Sequence, residues 1–146
     1  ILVMKNGVVQ QVASPLEVYT RPTNRFVFSF IGLSNFTEMA VTATHMQLDG
    51  AEAAFAAGCA PDAAIVQAGR GVVASRPNEI DFVDEGGVCG IVERRTFLGE
   101  QLDYQVRVGQ QSVRVQKGRY DRGPQEGENC RLHFLKPLWF PVESAD

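Results

Sequence analysis

The feature that most constrains the fold is a strict alternation of apolar and polar residues in the second half of the chain. It runs through residues 102–108, resumes at 113–116 and returns at 130–134. Such alternation sends successive side chains to opposite faces of an extended strand. Because a turn at 109–111 separates the first two segments, we expect them to pair antiparallel, and we expect all three to share one sheet.

Shorter segments with strand character surround these three. They comprise residues 39–43, 46–48, 72–75, 80–83 and 88–93, with turns expected at Asp49-Gly50 and at 85–87. The alanine-rich stretch 51–64 contains Gly58 and Pro61, which interrupt a helix, so we expect a short strand or a loop there. Many short strands at close spacing predict a mainly β domain built as a small barrel.

The residues before Asn35 have a different character. Asn6-Gly7 lies between two apolar runs, 1–4 and 8–12, which predicts a β-hairpin. Ser14 followed by Pro15 is typical of the N-cap and first position of a helix. The side chains expected on the buried side of this helix are Leu16, Val18 and Tyr19.

A second short helix is expected directly afterwards. Pro22 should end the first helix, and Thr23 or Asn24 should cap the second, over residues 25–31, with Gly32 at its end. Four apolar side chains are expected to be exposed unless they cover a neighbour: Phe26, Phe28, Phe30 and Ile31.

Composition excludes several classes of protein. With 146 residues, 45% of them apolar and 21% charged, the chain can form one ordinary core but not two full-sized catalytic domains. A net charge of −3 argues against bulk nucleic-acid binding, and no apolar run is long enough to cross a bilayer. Residues 1–7 resemble neither a signal peptide nor a natural start, so we expect an internal beginning.

The chemistry of catalysis and of metal sites has no support in the sequence. Three cysteines, Cys59, Cys89 and Cys130, are too far apart for a disulfide framework or a zinc site, which predicts a reducing, cytosolic setting. The glycines at 69–71 and 86–87 lack the spacing and lysine of a phosphate loop and are interpreted as turns. An acidic cluster could hold a hard cation, but solvated turn charges are the better interpretation: Glu79, Asp81, Asp84 and Glu85.

Arginines are the candidate contact residues. Arg107, Arg114 and Arg131 alternate with apolar partners, so we expect them on the solvent side of neighbouring strands, where they could contact a partner or a ligand. Arg76 is a fourth candidate of the same kind. Single-stranded nucleic acid would need exposed aromatic side chains between them, yet Tyr104 and Phe134 fall on the apolar side, so nucleic acid is not expected.

Long stretches of the chain also resemble one protein family. Residues 3–36 are similar to the segment after the switch loop in ATP-binding subunits of bacterial ABC importers, which has the pattern Q-x-G-T-P-x-E-[IV]-Y-x-x-P-x-N-x-F-V-A-x-F-I-G followed by S-N-F. Residues 74–82, 94–116 and 132–141 resemble the accessory barrel of these subunits, the transport-associated OB-like (TOBE) domain. The match departs at Ala13, Ser14, 28–29 and 78–79, and it rests on position alone between Met39 and Val72.

The resemblance implies a division of the chain and a role. Residues 1–36 would be the end of a nucleotide-binding domain, a hairpin plus two helices, and residues 37–146 a TOBE domain with an OB-like barrel. The chain would have no catalytic or cofactor-binding residue of its own, whereas the parent subunit would bind ATP and Mg²⁺. Two barrels would contact each other in a homodimer, beside membrane subunits on the cytoplasmic face. The imported solute would be a polyamine, ferric iron or a related solute.

Two other functions remain open at this point. The barrel could be a module that binds a small ligand such as an oxyanion, with arginine side chains and backbone N–H groups as donors. Binding of single-stranded nucleic acid is the other alternative, and it predicts strong salt dependence.

Overall fold

The computed structural model of the chain describes residues 1–48, 51–55 and 58–142. The predicted Asp49-Gly50 turn lies outside these residues. The chain forms two compact units, unit 1 over Ile1–Ser34 and unit 2 from Asn35 onward. The predicted boundary between residues 36 and 37 falls inside the first strand of unit 2.

Unit 1 begins with the predicted hairpin. Strands β1 (Leu2–Lys5) and β2 (Val8–Val12) pair antiparallel. Asn6 and Gly7 connect them with φ angles of 52° and 79°. Two successive left-handed residues give the tight turn whose twist matches that of the strands, which is why Asn-Gly is favoured there.

The two helices of unit 1 begin where their capping residues predict. α1 (Pro15–Thr20) follows Ser14, whose hydroxyl accepts a hydrogen bond from the Glu17 N–H at 3.3 Å. α2 (Arg25–Ile31) follows Asn24, whose Oδ1 accepts from the Val27 N–H at 3.0 Å. Both caps satisfy N–H groups that have no partner within the helix.

Helical phase explains two errors in the predicted burial of unit 1. Of the three α1 side chains expected to be buried, only Val18 is; Leu16 is 71% and Tyr19 37% exposed. At 3.6 residues per turn, Leu16 and Tyr19 share a side of α1 that Val18 does not. Of the four α2 side chains expected to be exposed, only Phe30 is. Phe28 is buried, because it lies on a different face of the helix from Phe30, and Phe26 and Ile31 are half-buried, because they pack against the small cluster of Val3, Val18 and Val27.

Unit 2 is built from ten strands and one helix within its described residues. They are β3 (Asn35–Val41), β4 (His45–Leu48), β5 (Ala51–Ala54), α3 (Ala63–Ala68), β6 (Arg70–Ser75), β7 (Ile80–Phe82), β8 (Val88–Phe97), β9 (Gln101–Val108), β10 (Gln111–Gly118), β11 (Asn129–Phe134) and β12 (Leu138–Phe140), with a 3-10 turn at Pro77–Glu79 before β7. The strands form two antiparallel five-stranded sheets. The β3 sheet has the order β12-β6-β3-β4-β5, and the barrel sheet has the order β10-β9-β8-β11-β7. This mainly β, barrel-like architecture confirms the predicted fold class.

The helix α3 is the element that the sequence analysis missed. The stretch 51–64 was expected to form a strand or a loop, and β5 confirms the first part. α3 begins later, after Asp62, whose Oδ1 accepts from the Ile65 N–H at 3.1 Å, and it ends at Gly69 with φ of 74°. Gly58 and Pro61 were weighed as helix breakers, but both precede the cap and so do not interrupt this helix.

The alternation seen in the sequence fixes the core of unit 2. Tyr104 and Phe134 are fully buried, as predicted, together with the apolar residues that alternate around them on β9, β10 and β11. The Phe82 ring meets Tyr104 edge-on at 4.8 Å between centroids. Inward residues therefore fill the barrel, and outward residues are left for contacts with solvent or partners.

Side chains close the gap between strands that do not pair. β7 and β10 are the two edges of the barrel sheet, and the Lys117 ammonium of β10 donates to the Asp81 carboxylate of β7. The sheet is thereby nearly closed into a barrel, which removes the exposed edges of an open sheet.

Two side-chain amides join β10 to β3. The Asn35 amide donates to the Arg114 carbonyl at 2.7 Å and accepts from the Arg114 N–H at 2.8 Å. Gln111 does the same to the backbone of Glu38, with distances of 2.8 and 2.7 Å. Each amide thus replaces one peptide unit of a neighbouring strand, and the two sheets are connected without a continuous backbone ladder.

Candidate functional site

Three of the four predicted contact arginines lie on one outward surface of the barrel sheet. Arg107 on β9, Arg114 on β10 and Arg131 on β11 alternate with buried neighbours, so their side chains leave the core. We call these three residues the arginine face. Arg107 and Arg131 are exposed, and Arg114 is half-buried.

The three arginine side chains differ in their hydrogen-bond and ion-pair partners. The Arg114 Nε donates to Asp103 at 2.7 Å, so its charge is already paired. The Arg131 Nη1 donates to the Gly86 carbonyl at 3.3 Å. Arg107 has no hydrogen bond or ion pair among the described residues, which leaves its guanidinium available to an anion or an acidic partner.

Arg76 has different surroundings. It follows β6 at the start of the 3-10 turn, and its side chain is only 3% exposed. It therefore lies in the interior of unit 2, apart from the exposed arginines of the arginine face. A contact of any of the four with a partner or ligand stays a prediction.

Two adjoining surface grooves lie beside the arginine face. One, of about 330 Å³, is lined by Arg107, Cys89 and Asn129 with apolar residues of β4 and β8. The other, of about 500 Å³, shares Cys89 and Asn129 and adds Arg131 and Asp84. Guanidinium groups at two points of one surface could bind an oxygen-bearing anion, although the Asp84 carboxylate would oppose this in the second groove.

The acidic cluster extends from the 3-10 turn through β7 into the turn that follows it. Asp81 is engaged by Lys117, and no group of three potential ligands forms in the part of the chain that the structure describes. Three of the glycines interpreted as turn residues do lie in turns: Gly69 ends α3, and Gly86 and Gly87 adopt positive φ angles between β7 and β8. The prediction was wrong for Gly71, which lies in β6, where a Cβ would come within 3 Å of the Ile65 and Trp139 side chains.

The three cysteines are free. Cys89 on β8 is exposed and lies opposite Arg131, whereas Cys130 on β11 lies opposite Gly90 and packs against the core. Burial, and secondarily the nearby Cys89, raise the pKa of the Cys130 thiol to about 11. A thiol with such a pKa is almost entirely protonated near neutral pH and is therefore a poor nucleophile.

The sequence analysis did not single out one surface feature. Phe97, Leu98 and Tyr120 are large apolar side chains, and all three are more than half exposed. A signal was present in the sequence, because Phe97-Leu98 is followed by Gly99-Glu100 and so places two apolar residues at a turn, outside the alternating pattern.

Residues 73–137 match the TOBE domain family. The match runs from β6 through β11 and so includes the whole barrel sheet. No helix within the described residues has the length and apolar character needed to span a bilayer.

Curated relatives match a longer part of the chain. The Spermidine/putrescine import ATP-binding protein PotA 1 of Pseudomonas aeruginosa is 38% identical over 122 residues, which cover 77% of this chain and 32% of that protein. The sn-glycerol-3-phosphate import ATP-binding protein UgpC of Escherichia coli is 31% identical over 92% of this chain and 38% of its own length. The Sulfate/thiosulfate import ATP-binding protein CysA 1 of Rhizobium meliloti is 28% identical over 80% of this chain and 33% of its own.

The chain spans about a third of the length of these relatives. Their shared names describe import and ATP binding, and their alignments cover most of this chain. The chain therefore belongs to the ATP-binding subunits of ABC importers and represents their C-terminal, TOBE-containing region.

Proposed function

We propose that this chain is the regulatory and dimerisation portion of the ATP-binding subunit of an ABC importer for a small solute. The observation that carries the proposal is the extent of the match to UgpC. It covers 92% of the chain, which is more than unit 2 contains, so the similarity extends into the hairpin and helices of unit 1. A barrel domain that acts alone would not need the hairpin and helices of unit 1.

In this role the chain performs no chemistry itself. ATP and Mg²⁺ would bind to the other part of the subunit, where phosphate-cradling and metal-binding residues would lie. Unit 1 exposes apolar side chains suited to packing on such a domain, among them Val8, Leu16 and Phe30. The barrel would contact a second barrel and keep two subunits together when their nucleotide sites open.

The partners and location follow from the same proposal. The subunit would act with membrane-spanning subunits, on the cytoplasmic face of the cell membrane. The solute is proposed to be a polyamine, ferric iron or a related species, and the name of the 38% identical relative supports the polyamine. The named solutes of the three relatives differ in charge, so the shared barrel would serve a step common to all of them, such as subunit contact.

The test is to express the complete open reading frame that encodes this chain. We expect a subunit that hydrolyses ATP, and we expect removal of residues 35–146 to weaken its dimer and alter its ATPase rate. A matched variant with alanine in place of the phosphate-loop lysine should abolish hydrolysis but leave the dimer intact. A reading frame without any phosphate-loop motif would refute the proposal.

A second function has one observation in its favour. Arg107 and Arg131 line adjoining grooves, and Arg107 has no other partner among the described residues. An oxyanion could therefore bind there as a regulatory ligand. Calorimetric titration with sulfate, molybdate and spermidine tests this, with Arg107→Gln as the variant and Arg94→Gln as a control; absence of heat with both anions would exclude oxyanion binding.

A further inference from the structure

Two hydroxyl groups are buried in unit 2 without a protein partner. Thr37 on β3 is fully buried, and Ser75 at the end of β6 is 1% exposed. Within the described residues, neither the Thr37 Oγ1 nor the Ser75 Oγ forms a hydrogen bond. A buried hydroxyl group that stays unpaired costs free energy, because it has given up its hydrogen bonds to water. Each of these two oxygen atoms therefore indicates a further hydrogen-bond partner.

The two hydroxyl groups lie on one face of one strand pair. β3 pairs antiparallel with β6, and Asn35 lies opposite Ser75. Residues directly opposite each other share a face of the sheet, and so do residues two positions apart on one strand. Thr37 is therefore a diagonal neighbour of Ser75, on the buried face that also carries Asn35.

Asn35 supplies a third polar group on this face. It is 7% exposed, and its amide forms one hydrogen bond to the Arg114 carbonyl and one from the Arg114 N–H. A side-chain amide has two N–H groups and an oxygen with two lone pairs, so these two bonds use half of its capacity. One N–H group and one lone pair of Asn35 are left beside Thr37 and Ser75.

The spacing of the two hydroxyl groups suits one small bridging molecule. Diagonal neighbours on paired strands lie about 7–8 Å apart, and somewhat less between their Cβ atoms, whereas a direct hydrogen bond between hydroxyl groups is about 2.8 Å long. One water molecule that bonds to both oxygen atoms spans up to about 5.6 Å. A buried water typically has two to four polar partners, and the two hydroxyl groups and the amide provide them.

We propose that Asn35, Thr37 and Ser75 form a buried binding site for one water molecule. The water bridges the two hydroxyl groups and bonds to the Asn35 amide, so it connects β6 and β3 with the side chain that reaches β10. An ion suits the site less well, because these three neutral side chains provide no countercharge for it. The site lies within unit 2 and does not depend on the proposed function of the chain.

A high-resolution crystal structure of the full chain tests the site directly. We expect one ordered water within hydrogen-bonding distance of the Thr37 Oγ1, the Ser75 Oγ and the Asn35 amide. The proposal is overturned if the electron density shows no water there. It is also overturned if each of the two hydroxyl groups is bonded to a protein group instead.

An isosteric variant gives an independent test in solution. Thr37→Val keeps the shape and the β-branched character of the side chain but removes its hydroxyl group. With a bound water, this variant takes away one of its partners, so the equilibrium constant for unfolding should rise by about fivefold or more in urea denaturation. Without a water, the variant removes an unpaired hydroxyl group, and an unchanged or lower constant would therefore contradict the proposal.

The matched control is Thr96→Val on β8, where the threonine is half-buried. It should change the unfolding constant by less than about threefold, because water can reach the hydroxyl group that it removes. Circular dichroism should show both variants folded. If Thr37→Val does not fold, the crystal structure of the unaltered chain still decides whether the water is present.

A double variant tests whether the two hydroxyl groups share one water. Ser75→Ala alone should also raise the unfolding constant. Thr37→Val/Ser75→Ala should raise it by clearly less than the product of the two single effects, because the first substitution already weakens the binding of the shared water. Single effects that multiply fully in the double variant would show that the two hydroxyl groups act independently, and would overturn the proposal of one bridging water.

Discussion

Unit 1 and unit 2 differ most in how they use their large apolar residues. In unit 2 most of these residues fill the barrel, and the most exposed ones are Phe97, Leu98 and Tyr120. In unit 1 a small cluster of Val3, Val18 and Val27 is outnumbered by exposed apolar side chains, which are Ile1, Leu2, Met4, Val8, Val9, Val12, Leu16, Tyr19, Phe30 and Leu33. Turn and capping residues can therefore determine the local structure of a segment, but they do not provide the buried apolar surface that stabilises it.

The largest expected effect comes from separating the two units. Residues 35–146 alone should unfold in one cooperative thermal transition, because their core is complete. Residues 1–34 alone should be largely unfolded, since a segment below about 40 residues without disulfides or metals rarely buries enough apolar surface. Far-UV circular dichroism during heating measures both. A cooperative thermal transition of the 1–34 peptide would show that unit 1 also folds on its own, and would contradict this prediction.

The next effect compares one tyrosine from each unit. Tyr104 is fully buried, and its hydroxyl accepts from the Arg95 Nε at 3.2 Å. Tyr104→Ala should lower the free energy of unfolding by about 3–5 kcal/mol, whereas Tyr19→Ala, in the exposed part of unit 1, should cost less than about 1 kcal/mol. Urea unfolding followed by circular dichroism gives both values.

Tyr104→Phe measures the contribution of the hydroxyl separately from that of the ring. It should cost only about 1 kcal/mol, because it leaves the ring packed against Phe82 and removes a single hydrogen bond. Equal losses for the alanine variants of Tyr104 and Tyr19 would show that burial does not distinguish the two units.

A smaller effect concerns an amide arrangement that both units contain. Gln111 makes two hydrogen bonds to the backbone of Glu38 in a half-buried setting. Gln11 makes two comparable bonds at the surface of unit 1, to the Arg21 carbonyl and from the Thr23 N–H, each at 3.0 Å. Replacement by glutamate removes the donor and places a carboxylate oxygen against a carbonyl.

Gln111→Glu should therefore cost about 1–2 kcal/mol, and Gln11→Glu less than about 0.5 kcal/mol, because water replaces exposed hydrogen bonds more easily. Gln110→Glu, in the exposed turn beside Gln111, is the control for added charge. The loss in Gln111→Glu should shrink at acidic pH, where protonation returns a donor. A loss in Gln11→Glu as large as that in Gln111→Glu would contradict this ranking.

The same comparison explains what could be predicted from the sequence. The hairpin turn, both caps of unit 1 and the alternating strands of unit 2 depend on residues close in sequence, and the structure confirms them. The Asn35 amide contacts Arg114, which is 79 positions away in the sequence, and no local sequence pattern predicts such a contact. The extent of β3 depends equally on pairing with a distant strand, β6, so alternation alone could not give it.

The smallest effect distinguishes two thiols within unit 2. Cys89 is exposed, while burial, and secondarily Cys89, raise the pKa of Cys130 from 9.0 to about 11. Iodoacetamide at pH 8 should therefore alkylate Cys89 well before Cys130, and the Cys130 rate should keep rising as the pH approaches 11, as followed by peptide mass spectrometry. Between pH 9 and 11 the unfolded thiol loses its proton while the folded one keeps it, so Cys130 lowers stability as pH rises. Cys89→Ser should speed alkylation of Cys130 only slightly, because burial is the larger cause of the raised pKa of Cys130. A large acceleration would show instead that the Cys89 thiol is the main cause.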